Sequence, residues 1–361
     1  MRVALSLVAV TLLGSALGGA AGAGAVKKPP PRRTVTAMTR NLYLGAGLDP
    51  IVHATSIPAA FQAVADAWAQ VQTNDFTVRA RAIAGELARS KPDFVGLQEL
   101  TLYRTQTPSD FLQTRATNVA LDYELELRKA LKQRGLRYHF AGVDVNTDAE
   151  LPSGNPPSMD IRLTVRNGLL VRNGIRVRHV QTANYQAQFP LFRGLEVAKR
   201  GWVSADATVG GRTFRVITTH LESFDRTTAD AQARELLARP AKTRLPVILV
   251  GDLNSRPDGL TSQAYPILVA AGFRDAWATA YPNAPGLTCC HGTDLRDATK
   301  SFTERVDYVM TRGGFAPVRG AVTGEAPASR VAGLWPSDHG GVWMTLRLPK
   351  RSADYAAAQS P

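Results

Sequence analysis

Cysteine is nearly absent from this 361-residue sequence, with only the adjacent pair Cys289 and Cys290 in "GLTCCHGTD". That excludes a framework of several disulfides. It also argues against a structural zinc site, because Cys-Cys-His offers too few well-spaced ligands. A bond between the two neighbours demands a distorted peptide, since bonded cysteines place their Cα atoms roughly 4.4–6.8 Å apart and trans neighbours sit at about 3.8 Å. Two alternatives stay open: a strained vicinal disulfide, or two buried thiols in a loop. Long apolar runs are missing as well. The longest, over residues 3–13, falls short of the roughly 20 residues that a membrane-spanning helix needs. Acidic residues are outnumbered, 30 against 43 Lys and Arg, which leaves a net charge of +13 and an attraction to anions. The excess is diffuse, with one compact cluster, "VKKPPPRR". Aromatic residues are few, and one loop, "NYQAQFPLF", gathers Tyr185, Phe189 and Phe192. It reads as a packed loop rather than a membrane-inserting hairpin.

What is present describes an exported globular protein. Residues 1–25 carry one positive charge, an apolar stretch and then small residues in an A-x-A pattern. This is a secretory signal peptide cleaved after Ala23 or Ala25, so the mature chain is expected to be secreted. A basic Pro-rich tail (26–34), one domain (35–348) and a disordered C-terminal tail (349–361) should follow. No internal repeat and no dividing linker interrupt the domain, and a monomer is expected. A strand is predicted in "RTVTAMTRNLYLG", helices in "PAAFQAVADAWAQVQ" and "FTVRARAIAGELARSK", and a strand in "DFVGLQEL". "VALDYELELRKALKQRG" reads as one long amphipathic helix. Residues 138–214 are mostly strand, with 142–160 and 181–198 as specificity loops. Alternating elements of this kind predict one α/β domain with two sheets face to face and helices outside.

The stretch "VILVGDLNSRPD" then sets a chemical question. Val247, Ile248, Leu249 and Val250 form a strand buried on both faces, yet Asp252 and Asn254 stand at its mouth. If strand geometry persists, residues two apart face the same side. Other strands end the same way. Asn41 closes the first, Glu99 follows "GLQ", His220 ends "ITTH", Asp307 sits inside "RVDYV", and Asp338 and His339 precede "GGVW". Each has an ordinary explanation, such as a turn or a pairing of Asp307 with Arg305. Turns do not explain six apolar strands that all deliver Asn, Glu, His or Asp at one kind of end. A buried carboxylate is also costly unless it is paired.

In this order the set resembles the endonuclease/exonuclease/phosphatase superfamily, which includes deoxyribonuclease I, apurinic endonucleases, bacterial sphingomyelinases and inositol-polyphosphate phosphatases. The resemblance covers about residues 35–348. It implies a four-layered α/β sandwich, an Mg²⁺ (or Mn²⁺) cofactor, and hydrolysis of a phosphate ester by in-line attack of water. It implies Glu99, Asn41 and Asp338 as metal contacts. Asp252 is the implied base, His339 paired with Asp307 would stabilise phosphate charge or assist proton transfer, and Asn41 and Asn254 are the implied holders of phosphate or water. His220 would contact the phosphate or protonate the leaving oxygen. A histidine there resembles the deoxyribonuclease and sphingomyelinase branches, whereas apurinic endonucleases carry tyrosine. The residue types suit this chemistry independently: lowering a phosphate-ester barrier by roughly 20 kcal/mol takes several converging groups when one donor supplies about 3–4. The expected partner is a phosphate ester, whether nucleic acid, soluble diester or phospholipid headgroup. Arg162, Arg166, Arg172, Arg193 and Arg200 lean the choice towards a polyanionic or soluble diester. The alternatives are a phospholipase C of the sphingomyelinase type, or a secreted binding protein that keeps the fold without catalysis.

Overall fold

A computed structural model describes residues 32–191 and 196–350. The expected signal peptide, most of the expected basic tail and residues 351–361 lie outside the described residues. Arg32 and Arg33 already bond to the domain. Arg32 grips Asp93 with both guanidinium nitrogens (3.0 and 2.6 Å), and the Arg33 carbonyl accepts the Leu348 amide.

Sixteen strands are present among the described residues. The first sheet takes β1 (Thr34–Asn41), β2 (Phe94–Gln98), β3 (Leu102–Gln106), β4 (Asn118–Asp122), β5 (Tyr138–Ser153) and β6 (Met159–Arg172). It is completed by β15 (Ala316–Thr323) and β16 (Gly341–Arg347), in the order β15-β16-β1-β2-β6-β3-β4, with β5 also on β6. The second sheet uses β7 (Arg176–Asn184), β10 (Gly201–Val209), β11 (Arg212–His220), β12 (Val247–Asp252), β13 (Arg274–Asp275) and β14 (Asp307–Arg312). Its order is β13-β14-β12-β11-β10-β7, and a small hairpin pairs β8 (Phe189–Leu191) with β9 (Glu196–Ala198). Both sheets are mixed, with the parallel pairs β1–β2 and β11–β12 at their centres.

Period-two alternation explains the layers. Along β12, Ile248 and Val250 join the core between the sheets with Phe94, Val216 and Met344, while Val247 and Leu249 pack outward with Leu236 and Leu268. Those last two belong to α5 (Arg226–Ala238) and α6 (Ala264–Ala270), beyond α1 (Asp49–Val52), α2 (Ile57–Thr73), α3 (Phe76–Ser90) and α4 (Tyr123–Gln133). A short α7 (Ala276–Ala280) follows. On the opposite side, Ile83, Leu87 and Leu127 of α3 and α4 cover Met38, Val95 and Leu97. The expected four-layered α/β sandwich is therefore the observed fold. The sheets approach so closely at Gly96 that a Cβ there would meet Thr218 Oγ1 at 2.4 Å and Val250 Cγ2 at 2.5 Å.

Two local expectations are corrected. The long helix expected from residue 119 begins at Tyr123, because residues 118–122 pair with β3 and the Asp122 carboxylate caps the Glu124 amide. Residues 142–153 are not a loop. They belong to β5, which pairs with β6 from Tyr138↔Arg172 to Ser153↔Met159. Likewise, 181–184 end β7.

Beneath the strand ends, Arg40 is fully buried. It forms a two-point ion pair with Glu86 of α3 (3.0 and 3.1 Å) and donates to the His339 carbonyl. Burial pushes the Glu86 carboxyl up, while Arg40 opposes that shift. Arg40→Met should therefore lose about 3–5 kcal/mol in urea unfolding by stranding Glu86, and Arg40→Met/Glu86→Leu should recover most of it. Equal losses in the single and double variants would refute the pairing argument.

Candidate active site

Register brings the predicted residues together. The parallel pairing of β1 and β2 sets Asn41 beside Gln98, with Glu99 next in the chain. In the second sheet, His220 lies opposite Asp252, and Asp252 opposite Asp307, so the three stand in one row. β16 runs antiparallel to β1, so Asp338 and His339 enter at the end where Asn41 stands. Glu99, His220, Asp252, Asn254, Asp338 and His339 line one cavity of about 480 Å³. Asn41 and Asp307 support it through hydrogen bonds to lining residues.

The Asn41 amide joins the two sheets. Its Nδ2 donates to Glu99 Oε1 (3.1 Å) and to Asp252 Oδ2 (3.0 Å), while its Oδ1 accepts the Tyr43 amide. Glu99 Oε2 accepts the Leu44 amide at 2.6 Å. Asn254 does not reach the site by strand alternation. Its φ is +45°, and it folds back so that its backbone N–H donates to Asp252 Oδ1 (3.0 Å). Asn is one of the few residues that tolerate this left-handed conformation. Tyr43 (φ +60°) and Glu99 (φ +56°) share it, so three residues lining the cavity hold backbone strain of about 1–3 kcal/mol each.

Charge follows from this crowding. His339 Nδ1 lies 2.8 Å from Asp307 Oδ2 and 3.7 Å from Asp252 Oδ2. Burial disfavours its cation, but Asp307, Asp338 and Asp252 outweigh burial and hold the imidazolium well above its usual range. The contact to Asp307 commits Nδ1 and leaves Nε2, 3.8 Å from Cys290 Sγ, on the cavity side. His220 is the opposite case: burial, then Arg200 and His339, push it well below its usual range. A neutral ring favours contact with phosphate over proton donation. Burial and the Asp307 charge raise Asp252 to about 7, despite help from His339 and Asn41. Burial raises both Glu99 and Asp338, and Asp338 adds to the shift at Glu99.

Four carboxylates thus share one rim, with His339, Arg200 and Arg79 as nearby cations. Mutual repulsion among hard oxygen donors is what a divalent cation relieves, so the carboxylates of Glu99 and Asp338 fit a hard divalent cation, while Asn41 turns its Nδ2 to Glu99 and Asp252 and gives its Oδ1 to the Tyr43 amide. Two other groups have ligand-like spacing, Asp252–Asp307–His339 and Cys289–Cys290–His339. The first already spends its facing atoms on the Asp307–His339 bond. The second offers no thiolate, because Cys289 and Cys290 form the vicinal disulfide.

Sequence reasoning missed two supports, Arg200 and Arg79. Arg200 donates to His220 (3.1 Å) and pairs with Glu222 (3.4 Å); the spacing "HLE" was the available signal. Arg79 is buried in α3 and donates to the carbonyls of Leu42 (2.6 Å), Tyr43 (3.2 Å) and Pro336 (3.2 Å), tying together two loops of the site. Its place on the apolar stripe with Ile83 and Leu87 marked it. Gln98 accepts from Thr39 (3.0 Å) and donates to Thr218 (3.1 Å) across the sheets.

Other readings change. Asp307 pairs with His339, not Arg305, which binds Asp275. Tyr185 is buried against the Thr219 hydroxyl (2.7 Å) and Phe189 stacks on Phe224, as expected of a packed loop, while Phe192 lies outside the described residues. Arg162, Arg166, Arg172 and Arg200 pair with Asp148, Asp122, Asp93 and Glu222 respectively, so they do not form a free polyanion track. Arg193 lies outside the described residues.

Among solved structures, the chain is similar to a humanized D. rerio TDP2 (19% identity, 88% of this chain and 100% of that one, TM-score 0.53). It is also similar to a mannosyl-6-phosphatase of Bacteroides thetaiotaomicron (16%, 87% and 100%, TM-score 0.52). A third is an endonuclease/exonuclease/phosphatase of Beutenbergia cavernae (21%, 88% and 72%, TM-score 0.55). No curated protein matches the sequence. Residues 67–339 match the model of the Endonuclease/Exonuclease/phosphatase family. With the family's fold and a convergent acidic site both in place, the chain belongs to this family of phosphoesterase hydrolases.

Proposed function

We propose that this protein is a secreted, metal-dependent phosphoesterase that hydrolyses a phosphodiester or phosphomonoester by in-line attack of water. The observation that carries the reading is the Asp252 carboxylate. It accepts the Asn41 amide at 3.0 Å on the Glu99 side and lies 3.7 Å from His339 Nδ1 on the other. A carboxylate so placed can accept a proton from water at the rim. As water oxygen bonds to phosphorus and the ester P–O bond breaks, Asp252 takes the water proton and the departing alkoxide takes a proton from solvent water. His339, held cationic, stabilises the growing phosphoryl charge. Asn254 and neutral His220 orient phosphate oxygens, and Arg200 adds positive charge without titrating. A divalent cation at Glu99 and Asp338 would supply Lewis-acid polarisation of the phosphoryl group, with Asn41 holding Glu99 in place.

The fold leaves the alcohol open. One similar structure is a D. rerio TDP2 with a single-strand DNA product, another a mannosyl-6-phosphatase. A binding protein without activity would have no need to keep all eight groups in register. The test uses the purified mature chain with bis-p-nitrophenyl phosphate and p-nitrophenyl phosphate. Hydrolysis should vanish in EDTA and return with Mg²⁺ or Mn²⁺. An undiminished rate in EDTA would sink the mechanism.

A further inference from the structure

The cavity holding the catalytic residues does not end with them. Its other wall is hydrocarbon, made by Ile51, Val64 and Trp68 of α1 and α2 on one side and by Leu151, Ile161 and Leu163 of β5 and β6 on the other. Ile51, Val64 and Ile161 are buried, and Trp68 tilts against Tyr103 with ring centroids 5.4 Å apart. Charged lining groups are confined to the catalytic set, Arg200, and Asp49 on the exposed surface. We infer that this chamber takes the alkyl tail of an amphiphilic phosphate ester while the catalytic end takes its phosphate. The inference rests on the phosphoesterase reading above and names its substrate class.

Three features favour a tail. The volume of about 480 Å³ falls within the range of small-ligand pockets, about 300–1,000 Å³, and is far from a polymer groove. A sugar or nucleobase against this wall would lose hydrogen bonds with water and find few replacements, whereas a hydrocarbon loses none. An alkyl chain also gains dispersion contacts along both walls, with Trp68 on one side and Leu163 on the other. The pairing of four basic side chains with carboxylates removes the competing argument for a polyanion.

The experiment follows p-nitrophenyl alkyl phosphodiesters from methyl to octyl, with Mg²⁺, below their micellar concentrations. In each, water oxygen joins phosphorus, the bond to p-nitrophenolate breaks, and Asp252 takes the water proton. kcat/KM should rise about fourfold per added methylene until the chamber is filled. Ala67→Phe on α2 and Ala149→Phe on β5, both lining the chamber, should each bring the octyl ester down to the methyl ester's value. They should leave methyl-ester turnover within about twofold. A flat dependence on chain length, with the methyl ester cleaved, would overturn the inference and spare the phosphoesterase reading. In EDTA, 1-octanol should shift Trp68 emission and Trp68→Phe should abolish the shift; absence of octanol binding would also overturn the chamber. Octanol binding with no ester cleaved would overturn the phosphoesterase reading, and the substrate class with it.

Discussion

Replacing Asp252 with Asn should lower kcat for a soluble phosphodiester by about 10³-fold or more while KM changes little. General-base catalysis typically contributes 10²–10⁴-fold, and here the same carboxylate also holds Asn41 and the turn at Asn254. A purely structural carboxylate would predict the same loss through misfolding, so a second readout is needed. It comes from proton linkage in the metal-free protein. Asp252 is raised from its ordinary value of 3.8 to about 7, chiefly by burial and then by Asp307. The folded state therefore binds this proton more tightly than the unfolded chain does. Stability should accordingly fall as pH climbs from about 4 to 7 and level off above that. In Asp252→Asn that slope should flatten. The lost acceptor at Asn41 adds a constant offset, so the slope and not the absolute stability is the measurement. Urea unfolding in EDTA at several pH values decides the matter: parallel curves for the two proteins would reject the assignment.

The second large effect belongs to Glu99. Glu99→Gln should cut Mg²⁺-supported hydrolysis by about 10³-fold, since a Lewis-acidic cation is worth several kcal/mol of transition-state charge. Thermal unfolding separates lost metal from lost chemistry. A cation at a hundred times its Kd stabilises the folded wild type by about 2.7 kcal/mol, several degrees in Tm for a chain of this length. The variant should lose most of that Mg²⁺-dependent shift. In EDTA at neutral pH it should be no less stable than wild type, because burial and the Asp338 charge already work against the Glu99 carboxylate. A wild-type Mg²⁺ shift in Glu99→Gln would move the cation elsewhere in the rim.

How much of this was legible in the sequence depends on whether the signal was local. Asn41, Glu99, His220, Asp252, Asp307, Asp338 and His339 were readable because each follows or interrupts an apolar strand, and strand ends of a layered sheet fall on shared rims. Asn254 lines the cavity, but a turn at positive φ, not the extended chain that the spacing suggested, brings it there. Arg200 was hidden among many arginines, and only the fold shows that its partner is Glu222. Residues 142–153 misled because a strand that twists beside β6 with two register shifts breaks strict alternation. The alkyl chamber had no local signature at all. Its walls come from α1, α2, β5 and β6, each of which reads as ordinary core.

The close approach at Gly96 carries a further consequence. Glu99 is mounted on one sheet and Asp252 on the other, so the gap between the two carboxylates equals the thickness of what lies between the sheets. Gly96, Ala37, Ala205 and Ala207 keep that filling thin, and Gln98 and Asn41 cross it as struts. The sandwich therefore works as a calliper whose jaw opening is set by methyl groups in the middle of the molecule. Enlarging one of those side chains would prise the jaws apart at the rim. Catalytic alignment in this protein is thus a property of core volume, and selection for turnover reaches residues that no substrate ever touches.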